Sequence, residues 1–205
     1  MATVAGMGGG VKSGPHPHPA FAMTAAHLKY LAGYSAHLVD QVRACLGDGS
    51  LGERLLRRYP QPHAVRNDGA LYDYVSGLKA SRLKNAPPLS KVLWDGKLAS
   101  LHNALGTHTR VARVQGGKLR TRREIRIADV FREAPPEFLG MIVAHELAHL
   151  KEPAHDKAFY QLCCHIEPAY HQLEFDVRAW LCWVEAGGAA LWGSAASAPA
   201  PTEQA

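Results

Sequence analysis

Residues 145–149 read His-Glu-Leu-Ala-His, and this short run constrains the chain more than any other. It sits in an apolar stretch, with Phe138, Leu139, Met141, Ile142 and Val143 ahead of it and Leu150 behind. On an α-helix, side chains four residues apart leave nearly the same face, one turn along. His145 and His149 can therefore grip one metal ion while Glu146 emerges beside them. Pro135-Pro136 suits the first turn of a helix, Glu137 complements its positive end, and Pro153 marks the stop. The spacing predicts a helix of about 15 residues, buried on one side. An ordinary core helix is the bland alternative, but burying two histidines and a glutamate together without a metal is costly. The chemistry implied is that of a zinc hydrolase, in which the ion activates water and Glu146 is the general base.

A catalytic zinc takes three protein ligands and leaves a position for water. His155 is the candidate third ligand, because the segment around Pro153 can turn the chain back towards the first two histidines. His165, His171, Glu174 and Asp176 compete for the role. Cys163 is a further alternative, although adjacent Cys163 and Cys164 read first as small hydrophobes packed in a helix. Zinc follows from ligand type, and other divalent metals also suit three histidines. His171, Tyr170 and Arg178 are candidates for holding an oxyanion, each reading first as structural.

Two runs, Ile142-Val143-Ala144-His145-Glu146-Leu147-Ala148-His149-Leu150-Lys151-Glu152 and then His155-Asp156-Lys157-Ala158-Phe159-Tyr160, resemble the YgjP-like metallopeptidase family. Pro168-Ala169-Tyr170 ahead of a final helix fits the same pattern, and Asn103 to Arg110 extends it upstream. The resemblance covers roughly residues 90–185. It implies that His145, His149 and His155 are zinc ligands and Glu146 the general base. It also implies a zincin-like fold with a core similar to the SprT-like proteases that act on DNA-bound proteins. Members of the family are described as metal-dependent hydrolases or proteases, and a UTP pyrophosphatase activity is named for it.

The rest of the chain sets this unit in context. Residues 1–22 and 187–205 are rich in Gly, Pro, Ala and Ser and read as disordered tails. Residues 23–88 read as an N-terminal helical region and 89–186 as the metallopeptidase-like domain. A first helix is expected from Thr24 to Gly47, a shorter one near 52–59, and a third stopping before Pro87-Pro88. Lys91 to Trp94, Thr109 to Val114 and Glu124 to Ile127 read as strands, with a turn at Gln115 to Lys118. A last helix is expected near 169–186. The fold class is α+β: a small antiparallel sheet packed against the metal helix, with a helical extension in front.

Four cysteines without C-x-x-C spacing, no leader-like start and no run of 18 apolar residues predict a cytoplasmic chain with no membrane partner. Net charge is +5, and Arg110, Arg113, Lys118, Arg120, Arg122, Arg123 and Arg126 are opposed only by Glu124. This cluster reads first as the wet face of a hairpin, since no aromatic residues interleave for stacking. The alternative is a footprint for nucleic acid or a nucleotide. The leading expectation is a zinc metallopeptidase that takes a peptide or protein substrate along a sheet edge at 109–114 or 124–128. The alternative is a metal-dependent nucleotide (UTP) pyrophosphatase, or a protease acting on nucleic-acid-bound proteins. A purely structural zinc is disfavoured by Glu146, for which such a site has no use.

Overall fold

The computed structural model describes residues 25–96, 107–115 and 118–193. The expected N-terminal tail, the turn at 116–117, His102 and residues 194–205 lie outside the described residues. The chain opens with a 3-10 turn over Ala25–Leu31, followed by α1 (Ala36–Gly47), α2 (Ser50–Arg58) and α3 (Asp68–Arg82). Three strands follow: β1 (Lys91–Asp95), β2 (Thr107–Gln115) and β3 (Lys118–Ala128). A second 3-10 turn, Asp129–Glu133, leads into α4 (Pro136–Ala148), α5 (Lys157–Ile166) and α6 (Tyr170–Glu185). No helix among the described residues is long and apolar enough to cross a membrane.

The single helix expected from Thr24 to Gly47 is broken. Gly33 takes a left-handed φ of 92°, which glycine adopts without a Cβ penalty. The chain then restarts at Ser35, whose extended backbone is the N-cap of α1. By contrast α3 begins as its sequence demands, with the Asn67 side chain accepting from the Ala70 N–H at 2.9 Å.

The sheet is mixed, not antiparallel throughout. Its order is β1-β3-β2, with β2 antiparallel and β1 parallel to β3. Alternating hydrophobicity identifies strands but not neighbours, and here β3 takes the middle place. Its Ile125 and Ile127 are fully buried, and its segment from Glu124 to Ala128 pairs with β1. Earlier in β3, from Lys118, the register continues with β2 alone, so the two strands extend as a ribbon past β1. On the other side of the pleat Arg126 is bound by Asp95 at 2.8 Å and Glu124 at 2.6 Å. Asp68, at the start of α3, accepts from the Trp94 N–H at 2.9 Å and fastens that helix to β1.

The metal helix was expected to bury one side, yet every residue of α4 from Phe138 to Ala148 is buried. A helix apolar all round belongs in the centre of a core. Sheet, α5 and α6 surround it, and Phe138 packs on Tyr59, Trp180 and Trp192 with ring centroids 4.8, 5.6 and 5.7 Å away. Trp192 belongs to the segment expected as a tail. Its indole N–H instead donates to the Tyr59 carbonyl at 2.7 Å, and the ring is buried. With the Trp183 indole N–H donating to the Ala189 carbonyl at 2.8 Å, Trp192 holds residues 188–193 against the core.

Candidate metal centre

Pro136 at the first helical position and Glu137 in the first turn start α4 where the sequence places them. The helix runs to Ala148, and His149 forms its C-cap. The chain then closes a tight turn, with Lys151 N–H and Glu152 N–H both donating to the Ala148 carbonyl. Asp156 caps α5 by accepting from the Phe159 N–H at 3.1 Å. His155, one residue before that cap, is returned towards the histidines of α4. His155 Nε2 lies 3.2 Å from His145 Nε2 and 3.1 Å from His149 Nε2. Among the described residues, these three form the one group of His, Cys, Asp or Glu side chains that could hold a metal ion.

The geometry suits a small cation. Nitrogens about 2.0–2.1 Å from a tetrahedral zinc stand roughly 3.3 Å apart. His149 Nδ1 faces the Glu152 carbonyl oxygen at 3.1 Å, an acceptor only, so Nδ1 donates there and Nε2 is the atom turned to His155. Burial pushes His145 down to about 3, with the nearby His149, His155 and Arg178 adding to the effect. Near neutral pH its ring is therefore uncharged, as a ligand must be. Glu146 is 1% exposed, and its Oε2 has no hydrogen-bond partner among the described residues. Burial raises its carboxyl well above the usual range. An orphaned buried carboxylate oxygen beside three converging imidazoles fits a site that holds a cation and a water.

Phe159 supplies the apolar wall. Its ring centroid is 4.9 Å from that of His145, 4.6 Å from His149 and 4.6 Å from His155. From buried His145 through half-buried His149 to exposed His155, the group opens to solvent on one side.

The competing ligands are placed elsewhere. Glu174 accepts from Arg178 at 2.7 Å. Asp176 accepts from the Tyr59 hydroxyl at 2.6 Å and pairs with Arg58 at 3.2 Å. His165 contacts the Arg82 carbonyl at 3.2 Å, and exposed His171 lies against Tyr160. Arg178 is further committed to the Tyr30 carbonyl at 3.1 Å, so it is not a free cation for an oxyanion. Tyr170 was read as core, and it is fully buried, but its hydroxyl also sits 2.7 Å from His145 Nδ1. The contact spans 25 positions, so no local spacing announces it.

Comparison with known proteins identifies the family. The family model described as YgjP-like, metallopeptidase domain, matches residues 106–179. A UTP pyrophosphatase of Escherichia coli (strain K12) is 56% identical over 162 residues, covering 79% of this chain and 97% of that protein. No solved structure matches the chain. With its three-histidine cluster on that shared framework, the chain belongs to the YgjP-like family and has the makings of a metal-dependent hydrolase.

Proposed function

We propose that this protein is a metal-dependent pyrophosphohydrolase that splits UTP into UMP and pyrophosphate. The observation that carries this reading is the 56% identity to a UTP pyrophosphatase across nearly all of that relative's length. The reading replaces a peptide with a nucleotide at the same centre, as the sequence alternative allowed. His145, His149 and His155 are the ligands, zinc is the ion that three neutral imidazoles suit, and the framework around them is zincin-like. When bound, such an ion lowers the pKa of water near 7 and offsets charge on phosphoryl oxygens.

The protein's own part is to place a base next to the first ligand. Glu146 accepts a proton from the attacking water, whose oxygen bonds to the α-phosphorus as the bridge to the β-phosphate breaks. The pyrophosphate oxygen that leaves takes up the proton. A carboxyl buried as Glu146 is on α4 is more basic than an exposed one, which favours that transfer. The arginine-rich ribbon is the candidate grip for the triphosphate. Its register sets Arg110 opposite Arg123 and Arg113 opposite Arg120. Arg126 is excluded from the grip because Asp95 and Glu124 already neutralise it.

Peptide hydrolysis is the second reading, favoured by the metallopeptidase description of the matching family. Two assays on the metal-loaded protein separate them: pyrophosphate release from UTP, and release of new amino termini from a protein mixture. Pyrophosphate release is expected. In Glu146→Gln it should fall by about 10²–10⁴-fold with metal still bound, the scale of a lost general base. Amino-terminus release without pyrophosphate release would overturn the nucleotide reading, and full turnover by the Gln variant would remove Glu146 from the mechanism.

A further inference from the structure

We infer that Arg123, with Arg110 opposite it, is the part of the ribbon that binds the substrate's phosphates, and that Arg113, Arg120 and Arg122 take no part in it. This assignment deepens the nucleotide reading above and rests on it. Successive residues of a strand alternate between the two faces of a sheet, and residues paired across two strands share a face. The register therefore sorts the arginines into two sets. Val92 and Trp94 of β1 pair with Ile125 and Ile127 of β3, and all four are buried, so theirs is the core face. Arg123, two residues before Ile125, belongs to that face, and Arg110 is its partner on β2. Arg113, Arg120 and Arg122 fall at the alternate positions, in phase with Glu124 and Arg126. Their face carries exposed Lys91 and the ion pairs of Arg126 with Asp95 and Glu124, and it is the one open to solvent.

The core face is the one that leads to the histidines. α4 carries His145 and is capped by His149, it packs against β3, and it is buried from Phe138 to Ala148. It therefore meets the strand on the side of Ile125 and Ile127. Arg123 Nε is itself shut off from solvent, with no hydrogen-bond partner among the described residues. An N–H withdrawn from water costs free energy until an acceptor meets it. Phosphate oxygens are such acceptors, and the planar guanidinium matches them in two parallel bonds. An ion pair sheltered from bulk water is also screened less by salt than one on the open face. A phosphate chain held at Arg123 lies on the same side of the sheet as the metal helix, whereas one held by Arg113, Arg120 and Arg122 would lie on the opposite side.

The test uses the metal-loaded full chain, with inorganic triphosphate as the probe, because calorimetry reads its binding without turnover. Arg123→Gln and Arg110→Gln should each weaken that binding about 10- to 100-fold, the weight of a lost hydrogen bond to a charged group. KM for UTP should rise in step. The triple variant Arg113→Gln, Arg120→Gln, Arg122→Gln should stay within about twofold of wild type in both measurements, as exposed charges contribute little. Wild-type triphosphate affinity in either single variant would overturn the inference, as would an equal loss in the triple variant. If Arg123→Gln fails to fold, Arg110→Gln on the neighbouring strand still decides. A wild type that binds triphosphate through Arg123 yet releases no pyrophosphate from UTP would sink the nucleotide reading and leave the anion site standing.

Discussion

Imidazole nitrogens hold a cation only when unprotonated, and here the three that converge come from different depths. His145 is buried in α4, His149 caps that helix half-exposed, and His155 stands in the open loop. Each should be needed: His145→Ala, His149→Ala and His155→Ala are expected to lose most bound metal by elemental analysis. His165→Ala, whose ring faces the Arg82 carbonyl instead, should keep it. The depth of His145 has a second consequence. Its pKa of about 3 in the fold compares with about 6.5 in an unfolded chain. Between those values the unfolded chain binds a proton that the folded one refuses. The stabilisation is therefore full above about 6.5 and is lost as pH falls towards about 3. In metal-free protein this amounts to about 2 kcal/mol between pH 7 and pH 5. Urea unfolding of wild type and His145→Asn at both values should show the variant less sensitive by that amount. An equal pH dependence in the two would mean His145 is already charged in the fold.

At the level of elements, the ribbon of β2 and β3 carries charge, and α4 with its cap carries His145, Glu146 and His149. Replacing Arg113, Arg120, Arg122 and Arg123 with Gln should raise KM for UTP and leave kcat nearly unchanged, because phosphates held alike in ground and transition states affect binding only. The affinity should also become less sensitive to salt, as each lost phosphate contact reduces the log–log slope by about one unit or less. If KM and salt dependence stay at wild-type values, the arginines are only the wet face of a ribbon. α4 itself was legible because Pro136, Glu137 and the H-E-x-x-H spacing act within one helix. Its complete burial was not, since a run of apolar residues does not say how many neighbours will cover it. The same reason hid the parallel pairing of β1 with β3: the alternation in each strand names its faces and leaves its partner open.

Across the whole molecule, the helical front and the metal-bearing half share one core. Leu71 of α3 and Leu46 of α1 are as buried as Ile125 or Phe138. The front also packs on the metal-bearing half through the 3-10 turn Ala25–Leu31 against α6, α2 against α6, and α3 against β1. The Tyr59 hydroxyl on Asp176 and Lys29 on Glu185 at 2.7 Å tie the same surfaces. Unfolding should therefore be a single transition, with tryptophan fluorescence and far-UV circular dichroism coinciding. Leu71→Ala, distant in sequence from the histidines, should cost about 2–5 kcal/mol and shift both signals together. Two separated transitions would show instead that the front and the metal half are independent units.

The sequence by itself determined what acts over one or two turns of chain. It placed the H-E-x-x-H helix, the return of His155 after Pro153, and Glu146 next to His145, because four-residue spacing on a helix is a fixed geometry. The tertiary structure decided what needs residues far apart to meet. It chose β3 as the central strand, drew Trp192 back onto Phe138, committed Glu174 and Asp176 to Arg178 and Tyr59, and set the Tyr170 hydroxyl against His145. Each of these is a contact between surfaces whose pairing depends on the packing of the whole core, which no local periodicity encodes.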